Sequence, residues 1–316
     1  MSIVADQTLA DVGEFGLISE LVRRFPQGDH VILGPGDDAA VLRIRGGHVV
    51  VSTDLMVEGR HFRRDWASAA DVGHRAAAQN LSDINAMGGV AHSLTVGLAA
   101  PPELPLSWAL DFATGFADEC SLVGASVVGG DLTRASEIVV AVTVLGSVAQ
   151  SPVARSGARP GDVLALAGRQ GWAAAGLAVL GRGNRSPRAV VAAYQRPEPP
   201  YGAGPAAAAA GATAMVDVSD GLLAECGHLA TDSGVAIDVR SAALEVPEPF
   251  LAVAAALNAD PVSFVLTGGE DHAILATFPP EVALPEGFRP IGTVTEGDRV
   301  TVDGAPYDGP TGWTHF

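Results

Sequence analysis

Lysine is missing from this chain: all 19 basic residues among its 316 are arginine. That absence excludes a Walker A phosphate loop, a protein-kinase anchoring lysine, and any Schiff-base or pyridoxal-phosphate chemistry, each of which needs the amine. Phosphate chemistry here has to run on metals, arginines and backbone amides. Cysteine is almost as scarce. Cys120 and Cys226 stand far apart with no CxxC spacing, so neither a disulfide framework nor a zinc site is expected, and a reducing compartment fits. Every long apolar run is broken well short of the roughly 18 residues a membrane span requires. The opening "MSIVADQTLADVGEFG" carries acids where a signal peptide carries a basic region. These features predict a cytoplasmic protein with no membrane association. A net charge of −17 and a pI near 4.7 argue against nucleic acid as a partner, because phosphate backbones are gripped by basic stripes.

What is present is a chain of 48% hydrophobic residues, enough for two ordinary cores. The pattern lapses into Ser, Pro, Gly and Arg at "AQSPVARSGARPGD" (149–162), which predicts domains over 1–150 and 151–316. In the first, strands are expected at "HVVVSTD", "AHSLTVGLAA", "ASVVGGD" and "EIVVAVTVLGSV". Helices are expected from Ala69 to Met87, started by Ser68 and Asp71, and over "LSWALDFATGFADECSLVG". In the second, "DVLALAG", "AMVDVSDG" and "VAIDV" read as strands, "GWAAAGLAVLG" and "LLAECGHLATDSG" as helices, "RPEPPYGAGP" as a proline-rich loop, and "SFVLTGGEDHAILATF" as loop and strand. The class is α/β, with α+β character.

Most of the 36 acidic residues read as surface charge, but a few stand where surface charge does not explain them. Asp54 follows "VVVST", Asp131 follows "SVVGG", Asp217 and Asp220 straddle "VS", and Glu270 with Asp271 follows "VLTGG". Each is expected at the carboxyl end of a strand beside small residues, where ligands gather in open α/β sheets. Singly, each reads as a turn residue sooner than as a ligand. Together they would repel unless cations sat among them, and hard oxygen donors suit Mg2+. "GPGDDAAV" (34–41) crowds Asp37 against Asp38 in the same way. Within "AAAQNLSDINAMGG", Asn80 and Asp83 share a helix face, either a solvated one or one presenting a carboxylate to metal. Arg60, His61 and Arg63, and later Arg155 and Arg159, offer phosphate partners. "GRGNRS" lacks the last glycine of a dinucleotide fingerprint, and no GxSxG, HExxH or EF-hand loop occurs.

The ordered series "GEFGLI", "GPGDDAAV", "VSTDLMVEGRHF", "NLSDINAMGG", "GGDLTR", "ARSGARPGD", "VSDGL", "GGED" and "GWTHF" resembles the thiamine-monophosphate kinase family, within the superfamily of aminoimidazole ribonucleotide synthetase and selenophosphate synthetase. The resemblance implies a two-domain fold of that superfamily, with N-terminal strands forming a barrel across a homodimer. By motif it implies that Asp38, Ser52, Thr53, Asp54, Asp83, Asp131 and Asp217 hold several Mg2+ ions and Asp220 a further one. Gly130, Asp131, Arg155 and Ser219 would contact ATP, and His61, Glu270 and Trp313 the thiamine monophosphate. The implied reaction passes the γ-phosphoryl of ATP to that phosphate, giving thiamine diphosphate. No residue is expected as general base, because a phosphomonoester with a second pKa of about 6 is already an anion; metals and Arg155 would carry the transfer. His272, Ala273 and Thr314 depart from the family pattern. The alternatives left by the residues are activation of another small acceptor, a two-metal phosphohydrolase, and a non-catalytic acidic metal binder.

Overall fold

The structure, a computed structural model, describes residues 7–33, 41–43, 48–149 and 151–313. Two compact units divide the chain: Met1–Ile84 with Val90–Ala149, and Asn85–Gly89 with Gln150–Phe316.

The first unit runs α1 (Leu9–Val22), β1 (Val31–Leu33), β2 (Val41–Leu42), β3 (His48–Val57), α2 (Ala69–Ala86), β4 (Val90–Ala100), α3 (Leu106–Ser121), β5 (Ser126–Arg134) and β6 (Val139–Val148). Its main sheet has the order β3-β6-β4-β5, antiparallel except for the parallel β4–β5 pair. Strict alternation of buried and half-buried residues along β6 means that one face packs inward and the other stays open. Val140, Val142 and Val144 are on the inner face, where Gly146 lets Ile84 of α2 close in; a Cβ there would sit 2.3 Å from the Ile84 methyl. On the open face Val49, Val51 and Leu55 of β3 remain exposed. The start of α2 is fixed as its sequence predicts. Ser68 N–H and Oγ–H both donate to Asp71, and Asp71 N–H donates back to Ser68 Oγ, a reciprocal capping box. Helices α2 and α3 meet through Gly73 and Gly115, where a Cβ would lie 2.1 and 2.0 Å from the opposing Phe112 and Ala70 carbonyl oxygens.

The second unit contains β7 (Val163–Ala167), α4 (Trp172–Gly181), α5 (Arg188–Gln195), α6 (Ala203–Ala210), β8 (Ala214–Asp217), α7 (Leu222–Ser233), β9 (Ala236–Val239), α8 (Glu248–Leu257), α9 (Pro261–Thr267), β10 (Ile274–Phe278), β11 (Phe288–Thr295) and β12 (Val300–Val302). Its six strands order as β12-β9-β11-β7-β10-β8, antiparallel except β12 on β9. Every residue of β10 is buried, as a central strand covered on both faces must be. Phe250, Phe264, Phe278 and Phe288 pack edge-to-face in pairs, each buried ring contributing about 1.5–3 kcal/mol.

Four expectations are corrected. Asp54 lies inside β3 and Asp131 inside β5, not beyond their ends, because pairing with β6 and β4 continues through Val57 and Arg134. "SFVLT" is the end of helix α9, not loop: Asp260 caps it through Val262 N–H, with Pro261 in the first turn, overriding the strand preference of its β-branched residues. Glu270 and Asp271 therefore precede a strand. The proline-rich loop ends at Gly202, where α6 begins, and it is preceded by α5, a short amphipathic helix that buries Val190, Val191, Ala193 and Tyr194. Among the described residues no single helix is long and apolar enough to cross a membrane.

Candidate active site

In the first unit, Ser52 and Asp54 lie two apart on β3 and so share a face, with Thr53 on the other. Ser52 Oγ donates to Asp83 Oδ2 at 2.6 Å, joining the strand to α2. Thr53 Oγ1 is 2.9 Å from Thr143 Oγ1 across the sheet. Of the polar run around Asp83, Asn80 and Ser82 are fully buried and Asn80 Nδ2 donates to Ala76 C=O. This is not the solvated helix face that spacing alone allowed. His61 Nδ1 accepts from Val57 N–H at 3.0 Å, so the neutral ring carries its proton on Nε2. Asp54 is opposite Val142, Val142 opposite Val96, and Val96 opposite Gly130, with Asp131 in the next row. Asp54 and Asp131 thus stand on opposite edges of the sheet, three strand spacings or roughly 14 Å apart, too far to share one ion within the same sheet.

The second unit gathers its groups at the end of β8, Asp217, and on two loops, 218–221 and 268–272, laid against each other. Val218 N–H donates to Ala273 C=O, His272 N–H to Val218 C=O, Glu270 N–H to Ser219 C=O, and Trp313 N–H to Asp220 C=O. Gly269 is obligatory at this seam, since a Cβ would lie 1.9 Å from Ser219 C=O. Glu270 and His272 are held at φ +68° and +54°, a left-handed conformation that side chains rarely adopt and that surroundings must enforce. Asp217 is nearly buried, and His272 Nδ1 donates to its Oδ2 at 2.9 Å. Glu225, in the first turn of α7, accepts from Asp220 N–H at 3.2 Å and Ser219 Oγ at 3.4 Å. Burial, with Asp217 and Asp220 nearby, pushes its carboxyl up to about 7. Burial likewise raises Asp271 to about 7, against the pull of backbone hydrogen bonds from Ala173 and Trp172. Arg155 pairs with Asp232 near the end of α7, its Nε 3.1 Å from Asp232 Oδ2.

Residues 36–148 match the family model for AIR synthase related protein, N-terminal domain, and 159–304 the model for its C-terminal domain. Over 312 residues, 98% of this chain and 93% of the relative, it is 47% identical to thiamine-monophosphate kinase of Mycobacterium tuberculosis. The chain belongs to the thiamine-monophosphate kinase family. A solved structure of the kinase from Stenotrophomonas maltophilia superposes with a TM-score of 0.82 at 31% identity, covering 93% of this chain and 97% of that one. AaThiL complexed with AMPPCP and TMP superposes at 0.80, 29% identical over the whole of both chains. The fold is therefore the two-domain mixed α/β fold of the AIR synthase related proteins.

Among the residues that the thiamine-monophosphate kinase motifs single out, Ser52 meets Asp83, and Ser219, Asp220, Glu270 and Trp313 meet through backbone bonds. Asp37, Asp38 and Thr314 fall outside the described residues. The donor set is all oxygen and rich in carboxylate, and two of its oxygens, from Ser52 and Asp83, already converge; this chemistry fits Mg2+. Among the described residues no three of His, Cys, Asp and Glu form a metal-holding group by themselves. The motifs passed over Glu225 and His272 as contributors. For Glu225 a signal existed, an acid in the first turn of the helix that follows "VSDG"; the pairing of His272 with Asp217 left none.

Proposed function

We propose that this chain transfers the γ-phosphoryl group of ATP to the phosphate of thiamine monophosphate, forming thiamine diphosphate and ADP. The observation that carries the reading is 47% identity over 98% of the chain to a thiamine-monophosphate kinase, supported by the likeness to a structure complexed with AMPPCP and TMP. The acceptor phosphate is anionic near neutral pH and needs no base, so the barrier is repulsion between two anions, and catalysis consists of neutralising and aligning them.

In this reading Ser52, Asp54, Asp83 and Asp131 of the first unit, with Asp38, and Asp217 and Asp220 of the second, hold Mg2+, which supplies the positive charge that lysine cannot. Thr53, whose hydroxyl faces Thr143, would offer its main-chain carbonyl from the edge strand β3. Gly130 and Ser219 bring backbone and hydroxyl to ATP. Asp131 joins them there, and Arg155 sets its guanidinium on the phosphates. His61 donates from Nε2 to the thiamine phosphate, Glu270 faces the cationic thiamine, and Trp313, two-thirds exposed, offers a ring for stacking. Residues 1–150 would thus carry most of the metal groups together with Gly130 and His61, and 151–316 would add Arg155, Asp217, Ser219 and Asp220 and complete the substrate site with Glu270 and Trp313. The protein works as a homodimer that covers the open sheet face bearing Val49, Val51 and Leu55, and two free buried cysteines suit the reducing cytoplasm.

The test is incubation with ATP and Mg2+ plus either thiamine or thiamine monophosphate. Thiamine diphosphate and ADP are expected from the monophosphate alone; ADP formed without acceptor would favour a hydrolase instead. For the dimer, light scattering of Val51→Asp is expected to give half the mass of the parent protein, and an unchanged mass would remove that face from the interface.

A further inference from the structure

The turn bearing Glu270 is strained on both sides of Asp271, and something other than local preference has to hold it. Left-handed backbone is disfavoured for an ordinary L-residue, whose Cβ crowds the neighbouring carbonyl oxygen, and Glu270 and His272 both adopt it. Asp271 between them is 3% exposed and turned inward. Its Oδ1 accepts from Ala173 N–H at 3.0 Å, in the first turn of α4. Helix α4 lacks a cap of its own, because its N-cap is Gly171, so Asp271 provides from a distant part of the chain the acceptor that a Ser or Asp normally provides locally. Gln170, just before the helix, reaches the same turn: its Nε2 donates to Gly268 C=O at 2.5 Å and to Val265 C=O at 3.0 Å. The start of α4 therefore grips residues 268–271 twice, once through each side chain.

We propose that Asp271 is a positioning residue for the acceptor substrate: by anchoring the strained turn to α4 it fixes the direction in which Glu270 presents its carboxylate. The proposal rests on the reading of Glu270 as a contact of thiamine monophosphate. Asp271 itself is buried and touches no substrate. Its loss frees the turn to relax out of the left-handed region, and the effect falls on acceptor binding rather than on ATP.

The experiment measures KM for each substrate in the full-length protein carrying Glu270→Gln, Asp271→Ala, Asp271→Asn, Gln170→Ala or the Glu270→Gln/Asp271→Ala pair. Asp271→Ala is expected to raise KM for thiamine monophosphate about tenfold with KM for ATP within about twofold. Asp271→Asn, which keeps an acceptor oxygen on α4, recovers most of that loss. The double variant is expected to bind acceptor no worse than Glu270→Gln alone, because Asp271 acts through Glu270. If Glu270→Gln leaves both KM values unchanged, the underlying reading of Glu270 fails. If Glu270→Gln raises acceptor KM while Asp271→Ala does not, or raises both KM values equally, the positioning role is overturned. Should Asp271→Ala not fold, Gln170→Ala decides: the same acceptor-selective rise supports the anchored turn, and an unchanged acceptor KM refutes it.

Discussion

The two units carry their candidate groups in opposite ways. In the first, Ser52, Asp54 and Asp131 hang from regular strands whose hydrogen bonds the sheet would make with any residue there. In the second, Asp217 ends strand β8, and Ser219, Asp220 and Glu270 sit on irregular loops that hold each other by backbone bonds, buried carboxylates and two left-handed residues. A strand separates function from stability, since a side chain can change without disturbing the backbone ladder. A stitched loop pair does not, because the groups that present the site also close the fold.

The largest expected effect lies at the seam. Gly269→Ala forces a Cβ into Ser219 C=O and is expected to cost about 3 kcal/mol or more, read as a lowered urea midpoint together with lost activity; a normal midpoint would mean that the loops are loosely joined. Next, Asp54→Asn is expected to lower turnover by about 100-fold or more with its thermal midpoint unchanged. Normal activity in that variant would remove Asp54 from the metal set, and a large drop in midpoint would erase the contrast between the units.

A smaller effect is expected from pH. The Asp271 carboxyl stands at about 7 when folded against 3.8 ordinarily, so between those values the folded chain keeps a proton that the unfolded chain has released. Its contribution to stability is full below about pH 4 and is lost as pH rises to about 7. Urea midpoints at about pH 4.5 and about pH 7.5 are expected to differ less in Asp271→Asn than in the parent protein; an equal difference would assign the pH dependence elsewhere. Smallest of all, Arg299→Ala is expected to change neither activity nor midpoint measurably, since its 3.7 Å pair with Asp298 is almost wholly exposed.

The contrast between the units also explains what was legible. Strands β3, β4 and β6 and helices α2, α3 and α7 follow from periodicity and caps, because a half-buried element writes its buried face into the chain at fixed spacing. Helix α9 was hidden by β-branched residues whose local preference its Asp260–Pro261 start overrode. Strands β3 and β5 run past the ends that their residues predict, because a strand continues as long as a neighbour pairs with it, and no residue within the strand records its neighbour.

From the sequence by itself came the mixed α/β class, the exclusion of lysine-dependent chemistry, and the family motifs with their acids, since residue type and local spacing are properties of the chain alone. Only the tertiary structure decided that Asp271 caps a helix 98 residues earlier, that His272 pairs with Asp217, that Glu225 holds Asp220, and that Asp54 and Asp131 stand at opposite sheet edges. Those facts depend on strand order and on which buried carboxylate meets which N–H, and burial and partnership are set by residues far away in the chain.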